Sequence, residues 1–286
     1  MIAFNGQYLP AASHGNMRIT AACLGGQWVI APWLKTATQQ AIIAAFGAEE
    51  GIAVISRTND YLNALALTDP TRAQQLAMFI QEDPLLVTSL VETSKTRWLV
   101  ASSAYINTQY YPTKGDVFSF SFRIDNLPST GYNRVCPFGC NNKCWLRVER
   151  ENFIEYAMDA QSNLNTVDFK ANTAYAFNID TFNKVVVIGE NTYKPTSALT
   201  TTTTNPMLLY KGGGTYSSNN YQKYLDGFIV SNNSEKILHL CPFLRNGENG
   251  MLDIISGTFY PNANTQGSFT IAITDNNHSY KEEGQT

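Results

Sequence analysis

Charged side chains are scarce in this sequence, making up 15% of its 286 residues, whereas about 25% is typical of soluble domains. The formal net charge is −3, so the chain lacks the basic excess with which proteins bind nucleic acid or anionic membranes. No segment approaches the roughly 18 apolar residues of a membrane span, and the first residues lack the pattern of a secretory signal. The composition therefore disfavours nucleic-acid binders, membrane proteins and proteins exported with a signal peptide.

Cysteine and histidine are also few, and their spacing does not suit a metal site. Cys136, Cys140 and Cys144 form a cluster, whereas Cys23, Cys241 and the three histidines lie far apart. Zinc sites usually pair two cysteines and add a second pair or histidines nearby. We therefore expect free thiols that act as small apolar residues, in a protein made in a reducing cytoplasm without metal or other cofactor.

The composition changes sharply near residue 97. Before Trp98 the chain has 16 alanines and 4 asparagines, and from Trp98 onward it has 10 alanines and 23 asparagines. Alanine favours helix, whereas asparagine favours turns. This change predicts two domains, residues 1–95 and residues 96–286, the second ending in a flexible tail.

The first domain is expected to be small and α-rich, with strand-like pieces at its start. Residues 38–46 form a short apolar helix that Gly47 ends, and Asp69-Pro70 and Asp83-Pro84 each supply an N-cap followed by a proline at the first helical position. No catalytic pattern occurs here. An attachment or oligomerisation domain is a natural role for such a segment.

The second domain is expected to be all-β. Residues 117–124 alternate apolar and polar side chains, which indicates a half-buried strand. Residues 145–156 predict a hairpin, residues 173–180 are expected to pair with 184–188, and residues 224–230 and 236–240 predict two further strands. The fold class is therefore α+β, with a small α-rich domain followed by a sandwich of two antiparallel sheets.

Short motifs in the second domain carry a family resemblance. The closing ones are Leu240-Cys241-Pro242, Gly250–Asp253, Gly257–Tyr260 and Gly267–Thr270. Together with the opening segment 104–110, their order resembles the concanavalin A-like (laminin-G-like) jelly-roll modules of phage and prophage structural proteins of gut bacteria. The resemblance covers residues 98–273. Two positions depart from it, since Asn107 stands where aspartate is usual and Cys241 precedes rather than follows the proline.

The resemblance implies a non-enzymatic phage virion surface protein, a head-fibre, decoration or tail-fibre component. In this interpretation residues 1–95 bind other virion proteins of the capsid or tail, and residues 96–286 display a jelly-roll module for adhesion to cell-surface or mucosal glycans. The protein would be made in the host cytoplasm, assembled into virions and form a homo-oligomer, with a trimer as the expectation by resemblance. A purely structural virion protein is one alternative.

Glycan binding relies on aromatic rings that face sugar C–H groups, together with amide, carboxylate and backbone hydrogen bonds. Tyr132, Trp145, Tyr216 and Tyr221 lie in or beside polar loops, where rings of this kind can stay partly exposed. We take these four residues as candidate carbohydrate-binding residues, with no catalytic residue and no metal ligand assigned.

A glycan-cleaving hydrolase or depolymerase of the same fold is the second alternative. Such an enzyme needs two carboxyl groups facing one another across the bond to be cleaved. Glu149, Glu151, Glu155 and Asp159 are close in sequence. The expected position of these four residues is a solvated hairpin rim.

Overall fold

The computed structural model describes residues 33–127, 135–140, 143–150, 153–165, 169–211, 222–265 and 267–275, and the backbone of six short strands before residue 33. For residues 149–150, 153 and 160–165 only the backbone is described. The tail predicted to be flexible lies largely outside these ranges. Among the described residues, no helix combines the length and the apolarity needed to span a membrane.

The chain divides into two compact units, Met1–Pro84 and Leu85–Thr286. This division lies before the boundary predicted between residues 95 and 96. One reason is that the residues just after Pro84 interact with the second unit, as when the Ser89 side chain hydrogen-bonds Cys241. The segment that leads into the first strand of the sandwich therefore belongs with the sandwich.

In the part of the first unit that the structure describes there are three two-stranded antiparallel hairpins and three helices. Gly47 has φ +86° between the first two helices, a conformation that favours glycine. Asp69 accepts a hydrogen bond from the Arg72 N–H at 2.9 Å, which caps the third helix as its sequence predicts. The elements are β1 (Ile2–Phe4), β2 (Gln7–Leu9), β3 (Ser13–His14), β4 (Met17–Arg18), β5 (Ala21–Leu24), β6 (Gln27–Ile30), α1 (Thr36–Phe46), α2 (Ala48–Thr68) and α3 (Pro70–Glu82).

A 3₁₀ helix (Pro84–Ser89) follows, where the second Asp-Pro pair predicted an α-helix, and the rest of the described chain is strand and loop. The strands are β7 (Lys95–Ser102), β8 (Ile106–Asn107), β9 (Asp116–Ile124), β10 (Val135–Cys140), β11 (Cys144–Arg150), β12 (Phe153–Met158), β13 (Ala160–Asn165), β14 (Tyr175–Asp180), β15 (Val185–Ile188), β16 (Asn191–Tyr193), β17 (Leu208–Leu209), β18 (Lys223–Leu225), β19 (Phe228–Asn232), β20 (Glu235–Arg245), β21 (Glu248–Asp253), β22 (Phe259–Tyr260) and β23 (Ser268–Asp275).

These strands form two antiparallel sheets. The smaller sheet has the order β13-β12-β11-β10-β17-β8, and the larger one has the order β16-β15-β14-β9-β19-β20-β21-β22. The larger sheet also has a branch, because β18 pairs with the far end of β9 and connects it to β7 and β23. The single strand expected over 224–230 is thus two strands, separated by Asp226-Gly227, where the sheet forks.

The core lies between the two sheets and follows from the alternation in β9. Phe118, Phe120 and Phe122 point inward and are buried. The Phe120 ring stacks on Phe228, with the ring centroids 4.9 Å apart, and Phe118 meets Phe138 of the smaller sheet at 5.1 Å. Both sheets contribute to one hydrophobic cluster, so the predicted β-sandwich is confirmed.

Candidate glycan-binding site

Of the four residues predicted to bind carbohydrate, Trp145 alone lies among the described residues; Tyr132, Tyr216 and Tyr221 fall outside them. Trp145 is on β11 and is 7% exposed. The guanidinium carbon of Arg147, two residues along the same strand face, lies 3.5 Å from the centroid of the Trp145 ring. The indole therefore has no open face for a sugar in this structure, and its role in binding stays a prediction.

Two of the carboxyl groups considered for a hydrolase, those of Glu155 and Asp159, form ion pairs or hydrogen bonds within the protein. Glu155 is opposite Arg147 in the register of β12 and β11, and their side chains form a buried ion pair at 2.7 Å. Burial by itself raises the pKa of Asp159, but hydrogen bonds from Thr200 and the ammonium of Lys143 lower that pKa below its ordinary value. The side chain of Glu149 and all of Glu151 lie outside the described residues. The lowered pKa of Asp159 does not suit a general acid.

The cysteine cluster is buried in and beside the core. Cys140 and Cys144 are opposite one another on β10 and β11, and burial raises the pKa of the Cys144 thiol, helped by its hydrogen bond with Cys140. Cys136 and Cys241 are also buried. Within the described part of the chain, no three or more histidine, cysteine or acidic residues converge to hold a metal ion.

A row of side chains crosses the outer face of the larger sheet. The register places Val187 beside Asn178, Asn178 beside Ser119, Ser119 beside Ile229 and Ile229 beside His239, on five adjacent strands. Asn178 Nδ2 donates to Ser119 Oγ at 3.0 Å. The row arises because the neighbours of these residues on each strand point into the core, which leaves the intervening positions facing outward.

This row is the floor of a groove of about 580 Å³, hereafter the sheet groove. Beside it, the cross-strand pair of Ala176 and Ser121 also lines the groove, together with Asp226 and Cys241. The wall is formed by the segment before β7 together with the first residues of β7, and its lining residues are Thr88, Ser89, Val91, Glu92, Thr93, Lys95, Thr96 and Arg97. The sheet groove thus combines aliphatic and hydrogen-bonding side chains within one concave surface.

Asp226 occupies the fork of the sheet and lines the groove. Its carboxylate accepts a hydrogen bond from the Ser121 N–H at 3.1 Å. Burial raises its pKa to about 6, and donors from Ser121, from its own backbone and from Gly227 partly oppose that rise. Nearby, burial raises the pKa of the Cys241 thiol to about 12, so this thiol stays protonated at neutral pH. Asp226 therefore changes charge within the pH range in which proteins work.

A second surface lies among the loops near the start of β9, and we define this loop-end surface by Tyr111, Lys114 and Phe182. The rings of Tyr111 and Phe182 are 45% and 52% exposed. Lys114 Nζ lies 5.1 Å from the centroid of the Phe182 ring. Both rings are exposed aromatics in polar loops, and neither belongs to the four residues predicted to bind carbohydrate.

No protein-family profile matches this sequence, and no curated protein matches it either. Among solved structures, the chain is similar to one described as a "putative carbohydrate binding protein" from Bacteroides ovatus ATCC 8483, with 11% identity and a TM-score of 0.45, over 64% of this chain and 60% of that one. It is also similar to alginate lyase AlgAT5 of polysaccharide lyase family 7, with 11% identity and a TM-score of 0.31, over 50% of this chain and 64% of that one. The matches span less than two thirds of either chain.

Proposed function

We propose that the second unit is a glycan-binding module and that the sheet groove is its binding site. The observation that carries this proposal is the cross-strand row of Asn178, Ser119 and His239 around Ile229 on the floor of the groove. A sugar needs an apolar patch for its C–H groups and several hydrogen-bonding groups for its hydroxyls, and the row offers both. The groove volume also lies within the roughly 300–1,000 Å³ typical of small-molecule sites.

Each contact in this groove is expected to be weak. Sugar binding at a single site of this kind is on the order of millimolar, or about 4 kcal/mol. A single hydrogen bond contributes about 1 kcal/mol, so the loss of one donor should weaken binding about fivefold. Linking several copies would raise the apparent affinity by roughly 10² to 10⁴ without any new contact.

The test is a glycan-array screen of the full chain, followed by NMR titration of the sugars that bind. Asn178→Ala and His239→Ala should each weaken binding about fivefold. Asn191→Ala removes an exposed amide from the edge strand β16, outside the groove lining, and should leave binding unchanged. Failure of every glycan to bind the folded chain would overturn the proposal, as would equal binding by all three variants.

Cleavage of the bound glycan is the alternative function, and one observation favours it. Asp226 has a pKa of about 6, which suits a general acid near neutral pH, and Glu92 lines the same groove. If the groove cleaves its ligand, new reducing ends should appear with polysaccharide, and Asp226→Asn should abolish their release while binding persists. If the groove only binds, the polysaccharide keeps its length.

We also propose that the protein is a phage virion component, in which the first unit attaches to capsid or tail proteins and the second unit is displayed as a homotrimer. The order of motifs across residues 98–273 supports this role. Detection of the chain by mass spectrometry in purified particles would test it, and light scattering would give the number of copies in the oligomer. Absence from particles would overturn the virion role.

A further inference from the structure

We propose that the loop-end surface is a second binding site, separate from the sheet groove, and that it takes an acidic sugar residue. Phe182 is the platform for the sugar ring, and the ammonium of Lys114 pairs with the sugar carboxylate. Here an exposed ring and an exposed ammonium lie 5.1 Å apart, measured from the Phe182 ring centroid to Lys114 Nζ.

The site is rigid because the buried Asp116 holds the loops that form it. Its Oδ2 accepts from Tyr110 Oη at 2.7 Å and from the Thr113 N–H at 2.8 Å. Its Oδ1 accepts from Asn232 Nδ2 at 2.9 Å, and its carbonyl accepts from Thr181 Oγ1 at 2.7 Å. Thr113 and Thr181, which precede Lys114 and Phe182, are thereby held in place, and this lowers the entropic cost of binding.

The charges around the surface leave Lys114 available to a ligand. Asp180 accepts from the N–H groups of Phe182 and Asn183 and from Asn183 Nδ2, so its carboxylate is used within the turn. Lys184 Nζ donates to the Thr196 carbonyl at 3.1 Å. Among the described residues, Lys114 forms no ion pair. Its contact with the Phe182 ring is a cation–π interaction, which keeps the ammonium beside the ring.

A carboxylated sugar fits these groups better than an acidic peptide does. An exposed aromatic ring binds the C–H face of a sugar, whereas a single ammonium beside it selects for one negative charge. The neighbouring Thr113 and Thr202 hydroxyls lie 2.7 Å apart and can exchange hydrogen bonds with sugar hydroxyls. An acidic peptide would use the ammonium and leave the ring and hydroxyls without a role.

The experiment compares a uronic-acid oligosaccharide with the neutral oligosaccharide of the same linkage, each titrated into the full chain. Lys114→Gln should weaken binding of the acidic sugar about threefold and leave the neutral one unchanged. Lys114→Arg should retain binding, and added salt should weaken it. Lys170→Gln is the matched control, since Lys170 is exposed near the other end of β9, where its N–H donates to the Tyr175 hydroxyl.

Three outcomes would overturn this inference. They are an equal loss for both oligosaccharides in Lys114→Gln, no loss for either, or tighter binding of a poly-glutamate peptide than of the uronic acid. Phe182→Leu keeps an apolar side chain but removes the aromatic ring. If the ring itself contacts the sugar, this substitution should also weaken binding of the acidic oligosaccharide. Asn178→Ala changes only the sheet groove. A result that contradicts glycan binding in the groove can therefore be distinguished from one that contradicts acidic-sugar binding at the loop-end surface.

Discussion

Replacing Asp226 by asparagine tests the electrostatics of the sheet fork. The pKa of this carboxyl rises from 3.8 to about 6 in the folded chain, mainly through burial. A raised pKa means that the folded state binds the proton more tightly, so the stabilising contribution is complete below about pH 4 and is lost as the pH rises through 6. Asparagine is neutral throughout. Asp226→Asn should therefore gain stability relative to the natural chain between pH 4 and pH 7.

The size of this gain follows from the pKa shift. A shift of about two units corresponds to about 3 kcal/mol. Asp226 keeps some contact with solvent, so screening should reduce the gain to about 1–2 kcal/mol. The amide oxygen can still accept from the Ser121 N–H, whereas the amide nitrogen meets the donors of the fork. That mismatch lowers the stability of Asp226→Asn by an amount that does not change with pH. The prediction therefore concerns how the difference in free energy of unfolding between the variant and the natural chain changes with pH.

The assay is urea unfolding of the full chain at several pH values from 4 to 8, followed by circular dichroism. Asp125→Asn is the control, because Asp125 is a partly exposed carboxylate just after β9 that accepts from the Gln222 N–H. The difference in free energy of unfolding between Asp226→Asn and the natural chain should rise with pH, and by more than the corresponding difference for Asp125→Asn. A flat or falling difference for Asp226→Asn would refute the reasoning.

Three further predictions concern the units, the buried ion pair and the thiols. A fragment of residues 85–286 should fold with a β-type circular dichroism spectrum. A fragment starting at Ser94 should also fold, but it should bind glycan more weakly because it lacks part of the groove wall. A helical or unfolded spectrum would contradict this prediction. Glu155→Gln should lower the free energy of unfolding by about 3 kcal/mol in urea titrations, since it leaves Arg147 buried without its counter-charge; an unchanged value would contradict it. A chelator should leave the melting temperature unchanged, whereas bound zinc and a lower melting temperature would show a metal site.

Local patterns in the sequence predicted those parts of the fold that depend on near neighbours. The Asp69-Pro70 pair placed the start of α3, because capping involves residues within one turn. The alternation in β9 likewise predicted which side chains enter the core. The fork was missed, although Asp226-Gly227 is a dipeptide typical of turns. Its presence inside an apolar run could have indicated a break in the strand.

The burial of Trp145 could not be predicted from sequence. Trp145 and Arg147 point away from the core cluster, so a strand pattern alone would expose them. The Arg147 guanidinium that covers the indole is itself paired with Glu155, and this pairing requires the observed register between β11 and β12. A shift of one residue would turn these side chains to the opposite face. Aromatic residues in a polar context are therefore weak indicators of open binding surfaces.

The sheet groove shows which features of a binding site a sequence can predict and which it cannot. Burial of Phe118 and Phe120 in β9 obliges Ser119 to face outward, and the same argument turns Asn178 and His239 outward on their own strands. The outward direction of each side chain can thus be derived from its own strand. Their assembly into one row cannot, because β9, β14 and β20 are separated by long stretches of chain and their register is set by the packing of the whole sheet. The residues of a sheet-face site are predictable one at a time, whereas the site itself exists only after the strands have paired.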